Sequence, residues 1–217
     1  MEERFISRQQ IDPDFFSFQK DWDYHKALEE QLLAFQEVAQ GKVAFKFLCG
    51  EHKAVYSMGR SLKKRPVSQT QIPFVMTERG GRLMYHGPGQ LTLYPIFKIR
   101  DFFSGPRDYS KSFFDTVVEH FILRHSLRLE CMENGLWFKG KKVGFMGLRI
   151  EKGITYHGLS LNYQTDLSAF KSHSPCSISG DQVGNLEKEK VPGPFSGFSI
   201  REEALEITRA LAYKLTK

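Results

Sequence analysis

Cys176 stands directly after Pro175 in the stretch SHSPCSISG, among small polar residues rather than inside an apolar periodic run. A structural cysteine behaves as a small buried hydrophobe, so this setting points to a thiol open to a cleft, the best nucleophile candidate of the three cysteines, with a bystander thiol as the alternative. A second stretch with chemical potential is RGGRLMYHGPGQ, residues 79 to 90. Gly80, Gly81, Gly87 and Gly89 can take positive φ and admit a ligand close to the main chain, and Pro88 fixes the turn between two of them. The N–H groups of such a loop can hold a phosphate, a carboxylate or the oxyanion of an acyl-transfer intermediate, with Arg79 and His86 at its edges. The alternative is a structural turn that carries an ordinary histidine. Neither GxGxxG nor GxxxxGK[ST] occurs, so nucleotide phosphate has no fingerprint here. A second glycine pair in KVGFMG and a second YHG, with His157 and Gly158, offer similar uncluttered backbone. His120 and His125 are five apart, not the three or four that put two ligands on one helix face, so no metal site is expected there.

These stretches need elements to position them. Residues 21 to 40, DWDYHKALEEQLLAFQEVAQ, carry Leu28, Leu32, Phe35 and Val38 at helical spacing, and Gly41 stops the helix. KVAFKFLCG then alternates with period two, AVYSMG reads as another short strand, and LTLYPIFKI as a third after the glycine stretch. Pro106 opens a helix running to His125, with Phe113, Phe114, Val117, Phe121 and Ile122 as its expected buried stripe. From Arg128 to Tyr163, RLECM, LWFKGKKVGFMGLRI and ITYHGLSLNY predict strands with turns at KGKK and EKG. EKEKVPGPFSG reads as a surface loop, and Ser199 with Glu202 as the capping box of a terminal helix. Helices bracketing a run of strands, without strict alternation, predict an α+β fold on a mixed sheet.

A chain of 217 residues with 41% apolar composition can bury one sizeable core, so residues 1 to 217 are expected to form a single domain. The absence of any long apolar run and the polar start MEERFISRQQ argue against membrane spanning and export, and three scattered cysteines, Cys49, Cys131 and Cys176, suit a reducing cytoplasm. Cys49 reads as a small buried hydrophobe. A net charge of +6 suits an acidic partner, although Lys and Arg are spread along the chain and the densest cluster, Lys63, Lys64 and Arg65, is short. Solubility alone also accounts for that charge.

Five blocks, in order, carry a resemblance: AVYSMGR at 54 to 60, RGGRLMYHGPGQLTLYPI at 79 to 96, KVGFMGLRI at 142 to 150, YHGLSLN at 156 to 162, and DLSAF followed by SPCS, which contains Cys176. Together they resemble the octanoyl-[acyl-carrier-protein]:protein octanoyltransferases of lipoate biosynthesis. The resemblance implies an α+β fold like the catalytic domain of biotin and lipoate protein ligases, a mixed β-sheet flanked by helices. It implies Cys176 as the thioester-bearing nucleophile and Lys142 as its partner. It also implies an acyl pocket lined by Arg79, Gly80, Gly81, Arg82, Leu83, Met84, Tyr85 and His86, by Phe145, Met146 and Gly147, and by His157, Gly158, Leu159 and Ser160. The implied donor is octanoyl-acyl carrier protein. The implied acceptors are lipoyl domains of 2-oxoacid dehydrogenase complexes and the glycine cleavage H protein, with no cofactor, metal, membrane or nucleic acid involved. Two positions depart from the pattern: Met84 where the family usually has threonine, and Ser177 where it has glycine, which restricts φ beside the nucleophile.

The side chains suit that chemistry. A free thiol with a pKa of about 8.5 is only about 3% thiolate at pH 7, and a nearby ammonium that lowered it to about 7 would bring the thiolate to about half. Acylation removes the sulfur's charge, so Lys142, left without its counter-charge in a poorly solvated pocket, can take the proton of an incoming amine. His86 and His157 are alternative bases, here expected to line or position. Competing readings are an ATP-using lipoate or biotin ligase, a catalytically silent acyl binder, and a nucleic-acid module that uses FKFLCG or LWFKGKK.

Overall fold

The computed structural model describes residues 15–62, 70–132, 135–172, 178–189 and 199–216. Along the chain the elements are β1 (Phe16–Trp22), α1 (Tyr24–Ala39), β2 (Phe45–His52), β3 (Val55–Met58), β4 (Phe74–Met76), β5 (Leu83–His86), β6 (Gln90–Phe97), α2 (Pro106–His125), β7 (Glu130–Met132), β8 (Gly135–Phe138), β9 (Lys141–Glu151), β10 (Ile154–Asn162), α3 (Ser168–Ser172), α4 (Leu186–Glu189) and α5 (Ile200–Leu215). Seven strands form one sheet in the order β1-β2-β6-β10-β9-β8-β7, and β4-β3-β5 form a second. β1 pairs parallel with β2 and β4 parallel with β3, while the other pairs are antiparallel, so the sheets are mixed as the sequence predicted.

The turns at KGKK and EKG form where expected. Lys139 and Gly140 have φ of 49° and 73°, and Lys152 and Gly153 of 50° and 79°, two positive values in each turn. That backbone twist matches the twist of the strands it joins, and it stacks β8, β9 and β10 into a meander.

Strand alternation divides the core between the two faces of the large sheet. Phe47, Cys49, Leu91, Leu93, Leu159 and Leu161 pack with α2 and α5, whereas Leu48, Tyr94, Ile96, Ile154 and Tyr156 pack beneath α1. Cys49, within β2, is the small buried hydrophobe that the sequence predicted. Pro106 opens α2, and Ser199 caps α5 with Glu202 in the predicted reciprocal box.

Two helix stripes differ from expectation. In α1 the buried positions are Tyr24, Ala27, Gln31, Ala34 and Val38, while Leu32 is exposed. Ala27 and Ala34 are the small residues that let the helix axis come close to the sheet, and Gln31 turns inward because its side chain donates to the Ala27 carbonyl and accepts from the His157 N–H at 2.8 Å. In α2 the stripe holds Phe113, Phe114, Val117 and Phe121 as predicted, but Ile122 points to solvent, and Tyr109, Thr116, His120 and His125 are buried as well. Within the stretch read as a surface loop, Glu187–Glu189 belong to α4, and the remainder lies outside the described residues, as does the basic cluster at Lys63, Lys64 and Arg65. No helix among the described residues is long and apolar enough to cross a membrane.

Candidate active site

The glycine stretch is part loop and part strand. Its centre, Leu83 to His86, is β5, which pairs antiparallel with β3. Only Gly81 and Gly89 take positive φ, 84° and 77°, whereas Gly80 and Gly87 do not. At Gly87 the requirement is space, since a Cβ there would collide with the Tyr85 ring. The N–H of Gly80 donates to the Leu148 carbonyl at 3.0 Å and that of Gly89 to the Glu51 carboxylate at 2.8 Å. Those two donors hold the loop against β9 and β2 and are not presented to an anion, which corrects the reading that they would be.

What the stretch does build is one wall of a narrow cleft between the small sheet and the β9–β10 hairpin, with an open interior of about 30 Å³. Arg79, Gly80, Gly81, Met84 and His86 line one side, and Phe145 to Gly147 with His157 to Ser160 line the other. Leu83 and Tyr85 do not line it; they alternate to the other face of β5, where Tyr85 packs edge-on against Phe170. Arg82 is exposed, and its carbonyl accepts a hydrogen bond from Arg79. Tyr24, the first residue of α1, and Tyr94 on β6 complete the lining.

Arg79 and His86 are fixed before any ligand arrives. The buried Arg79 guanidinium donates to Ser57 Oγ, to the Ser57 and Arg82 carbonyls, and to its neighbour's carbonyl at Gly80. His86 lies between Ser57 Oγ at 3.0 Å and Gln90 Oε1 at 2.7 Å. Burial, reinforced by His52 and Arg79, holds its imidazole well below the usual range, so it is neutral.

His157 owes its place to a proline. Pro95 lies in β6, a central strand, where it has no N–H to give. The β6–β10 ladder stops at Leu93, and Thr155 Oγ substitutes for it by donating to the Pro95 carbonyl at 2.8 Å and accepting from Phe97 N–H at 3.2 Å. Opposite this gap β10 kinks, with His157 at φ 57°, and its ring is delivered to the cleft. The ring is 1% exposed, and neither nitrogen has a hydrogen-bond partner among the described residues. Burial together with Arg79 and Arg149 holds it at about 3.

Lys142 sits on β9, three residues before Phe145, and is buried, its ammonium 5.6 Å from the Trp137 ring centroid and 5.5 Å from that of Phe145. Phe145 joins it to the cleft. The side chain passes over Gly135, where a Cβ would collide with Lys142 Cε and lie 2.6 Å from the Gly144 carbonyl. Gly135→Ala is therefore expected to displace the ammonium and lower any Lys142-dependent rate by about 10–100-fold; a rate within twofold of wild type would show that the position of this side chain does not matter. Cys176 and Ser177 lie outside the described residues. On either side of them, Ala169 and Phe170 of α3 and then Ile178 pack in the same cluster as Phe145 and Val183.

Residues 22 to 201 match the family described as the lipoyl protein ligase A/B catalytic domain. The chain belongs to that family. An octanoyltransferase of Magnetococcus marinus is 33% identical over 188 residues, 85% of this chain and 84% of the relative, and one of Laribacter hongkongensis is 36% identical over 158 residues, 70% and 75% of the two chains. Among solved structures, a lipoate-protein ligase A bound with ATP superposes with a TM-score of 0.69 at 15% identity, covering 93% of this chain and 85% of that one. A biotin protein ligase from Aquifex aeolicus in complex with biotin and ATP gives 0.57 at 14%, covering 93% and 70%. At such identities the likeness is one of fold, the α+β mixed sheet with flanking helices predicted from the sequence.

Sequence reading passed over several residues that build this family member's site. Tyr24 lies in the segment before the matching blocks, and Tyr94 reads as an ordinary strand residue. Outside the cleft, the spacing argument about His120 and His125 missed their third partner. Both Nε2 atoms lie 2.9 Å from the same carboxylate oxygen of Glu203 on α5, and Arg124 donates to the other. Burial pushes Glu203 up, but the hydrogen bonds from the two histidines outweigh it and hold the carboxyl at about 2. This group ties α2 to α5.

Proposed function

We propose that this protein is an octanoyltransferase that moves an octanoyl group from octanoyl-acyl carrier protein to a lysine amine of a lipoyl domain through a thioester on Cys176. The observation that carries the reading is Lys142, a buried primary ammonium beside the ring of Phe145, which lines a cleft whose opposite wall is the glycine stretch. The relatives named octanoyltransferase support the acyl group transferred.

In the first half, the Cys176 thiolate attacks the carrier thioester carbonyl, the carrier sulfur leaves, and Lys142 favours the thiolate. Thioester exchange is close to isoenergetic, so no nucleotide is required. In the second half, the acceptor lysine amine attacks the Cys176 thioester, its proton passes to Lys142, and the Cys176 sulfur leaves as thiolate. Met84, Phe145, Met146 and Leu159 give the chain an apolar surface. The net charge of +6 favours encounter with an acidic carrier protein and with the lipoyl domains of 2-oxoacid dehydrogenase complexes and the glycine cleavage H protein.

Intact-mass spectrometry after mixing with octanoyl-acyl carrier protein tests the reading. An octanoyl increment in the wild type that is absent in Cys176→Ser is expected. An unshifted wild-type mass overturns it, and an increment that appears only with ATP and free octanoate points to a ligase instead.

A further inference from the structure

Six buried groups join the cleft to the strand that carries Lys142, and their polarity can be read atom by atom. Arg79 has only donors, so Ser57 Oγ accepts from Arg79 Nε at 3.0 Å. At the other end, Asn162 Nδ2 donates to the Gly184 carbonyl at 3.0 Å, which turns Asn162 Oδ1 toward Gln90 Nε2 at 2.9 Å. Gln90 Nε2 also donates to the Tyr85 carbonyl at 3.1 Å, so its oxygen faces His86 Nδ1, and that nitrogen carries the proton. The neutral ring then accepts at Nε2 from the Ser57 hydroxyl. Gly184 N–H donates to the Lys142 carbonyl at 3.0 Å, and Val183 bridges Lys142 in parallel. Every donor points the same way, from Arg79 to the Lys142 backbone. Ser57, Gln90 and Asn162 have no exposed surface, and nothing else in the proposed chemistry uses them.

We infer that Gln90 and Asn162 are positioning residues for octanoyl transfer: they clamp the Gly184 segment to Lys142 and, through the same amides, hold His86 as its Nδ1–H tautomer beside the acyl cleft. The inference rests on the octanoyltransferase reading. The clamp matters because Gly184 lies only eight residues after Cys176 in the sequence, and Asn162 holds it where its N–H meets the Lys142 carbonyl. Because the donors run in one direction in a water-poor interior, reversing a single member leaves two like groups facing each other rather than merely losing one bond. Asn162→Asp places a carboxylate oxygen against the Gly184 carbonyl. Gln90→Glu removes the donor to Asn162 and Tyr85 and puts a charge beside His86 that favours its protonation.

The test measures acylation of Cys176 by octanoyl-acyl carrier protein at saturating and subsaturating donor, with wild type run alongside. For Asn162→Asp the saturated rate is expected to fall about 10–100-fold, the scale set by displacing a reacting group by up to about 1 Å, with half-saturation changed less than threefold. Asn162→Ser, whose shorter hydroxyl does not reach Gly184 but places no carboxylate against its carbonyl, is expected to recover part of that loss. Gln90→Glu is expected to add a second titration, that of His86, to the thiol titration that the wild-type acylation profile already shows. Asn162→Asp or Gln90→Glu acylating within twofold of wild type, with an unchanged pH profile, overturns the inference. Should the variants not fold, ¹⁵N NMR of the wild-type histidines decides: a His86 ring that is Nε2–H, or that titrates between pH 5.5 and 8, overturns it, and a fixed Nδ1–H ring upholds the chain of donors. A wild type that never acylates on Cys176 refutes the octanoyltransferase reading instead, an outcome the NMR measurement keeps separate.

Discussion

Replacing Lys142 by methionine is expected to lower octanoyl transfer by about 10³-fold or more while the protein stays folded. Methionine keeps an unbranched side chain between Trp137 and Phe145, so the packing there is retained. The loss divides between two half-reactions. For acylation, a thiol without a neighbouring ammonium is only about 3% thiolate at pH 7, so the rate is expected to fall by up to roughly 15-fold, and raising the pH to 9 should restore most of that. For transfer to the acceptor amine, the missing proton acceptor lowers that half separately by about 10²–10⁴, which sets the overall rate and which higher pH restores only through the amine itself. Lys142→Arg separates the roles: a guanidinium keeps the charge but does not exchange its proton, so acylation should survive better than transfer. Rapid-quench mass measurement of the octanoyl-enzyme, followed by single-turnover transfer to a lipoyl domain, reads both halves. Equal losses in the two halves for the arginine variant would refute the double role, and transfer by the methionine variant within tenfold of wild type would remove Lys142 from the chemistry.

The parts legible in the sequence are those with local causes. The turns at KGKK and EKG, the cap at Ser199 and the proline opening α2 each depend on a few adjacent residues, and each forms as predicted. What escaped has causes distant along the chain. Leu32 has the right spacing for a buried stripe, but Ala27, Gln31 and Ala34 take that face because the sheet beneath α1 offers His157 N–H to Gln31. Pro95 reads as a blemish in a strand until Thr155 is seen to stand in for the missing ladder and His157 to kink opposite. The cleft segments were nameable because ordered blocks resemble a family, whereas the hydrogen bonds that run from Ser57 through Gln90 to Asn162 cross both sheets and follow no spacing rule.

The same buried site should make the protein labile in mild acid. His52, His86 and His157 are all buried, and burial is the leading cause that holds His52 at about 4, His157 at about 3 and His86 well below the usual imidazole range. In the unfolded chain each takes up a proton near pH 6.5. With folded values depressed, the unfolded state binds more protons throughout the window from about 6.5 down to about 4, so stability falls as pH falls through it. Each histidine contributes at most about 1.4 kcal/mol per pH unit, and three together roughly 6 kcal/mol between pH 7 and 5, comparable to the whole stability of many domains. The surroundings mostly reinforce the effect: Arg79 faces His86 and His157, Arg149 faces His157, and His52 and His157 face His86, while the Trp22 carbonyl and Asp23 at His52 and Gln90 at His86 pull the other way. Glu203 adds nothing above pH 4.5, because its folded value of about 2 places its loss of stabilisation at lower pH, with the same sign. Urea unfolding at half-unit steps from pH 7.5 to 4.5 measures the slope. A free energy that changes by less than about 1 kcal/mol between pH 7 and 5 would mean that these rings are charged in the folded protein. In His52→Gln, by contrast, the slope should fall by about one third while the other two histidines keep the rest.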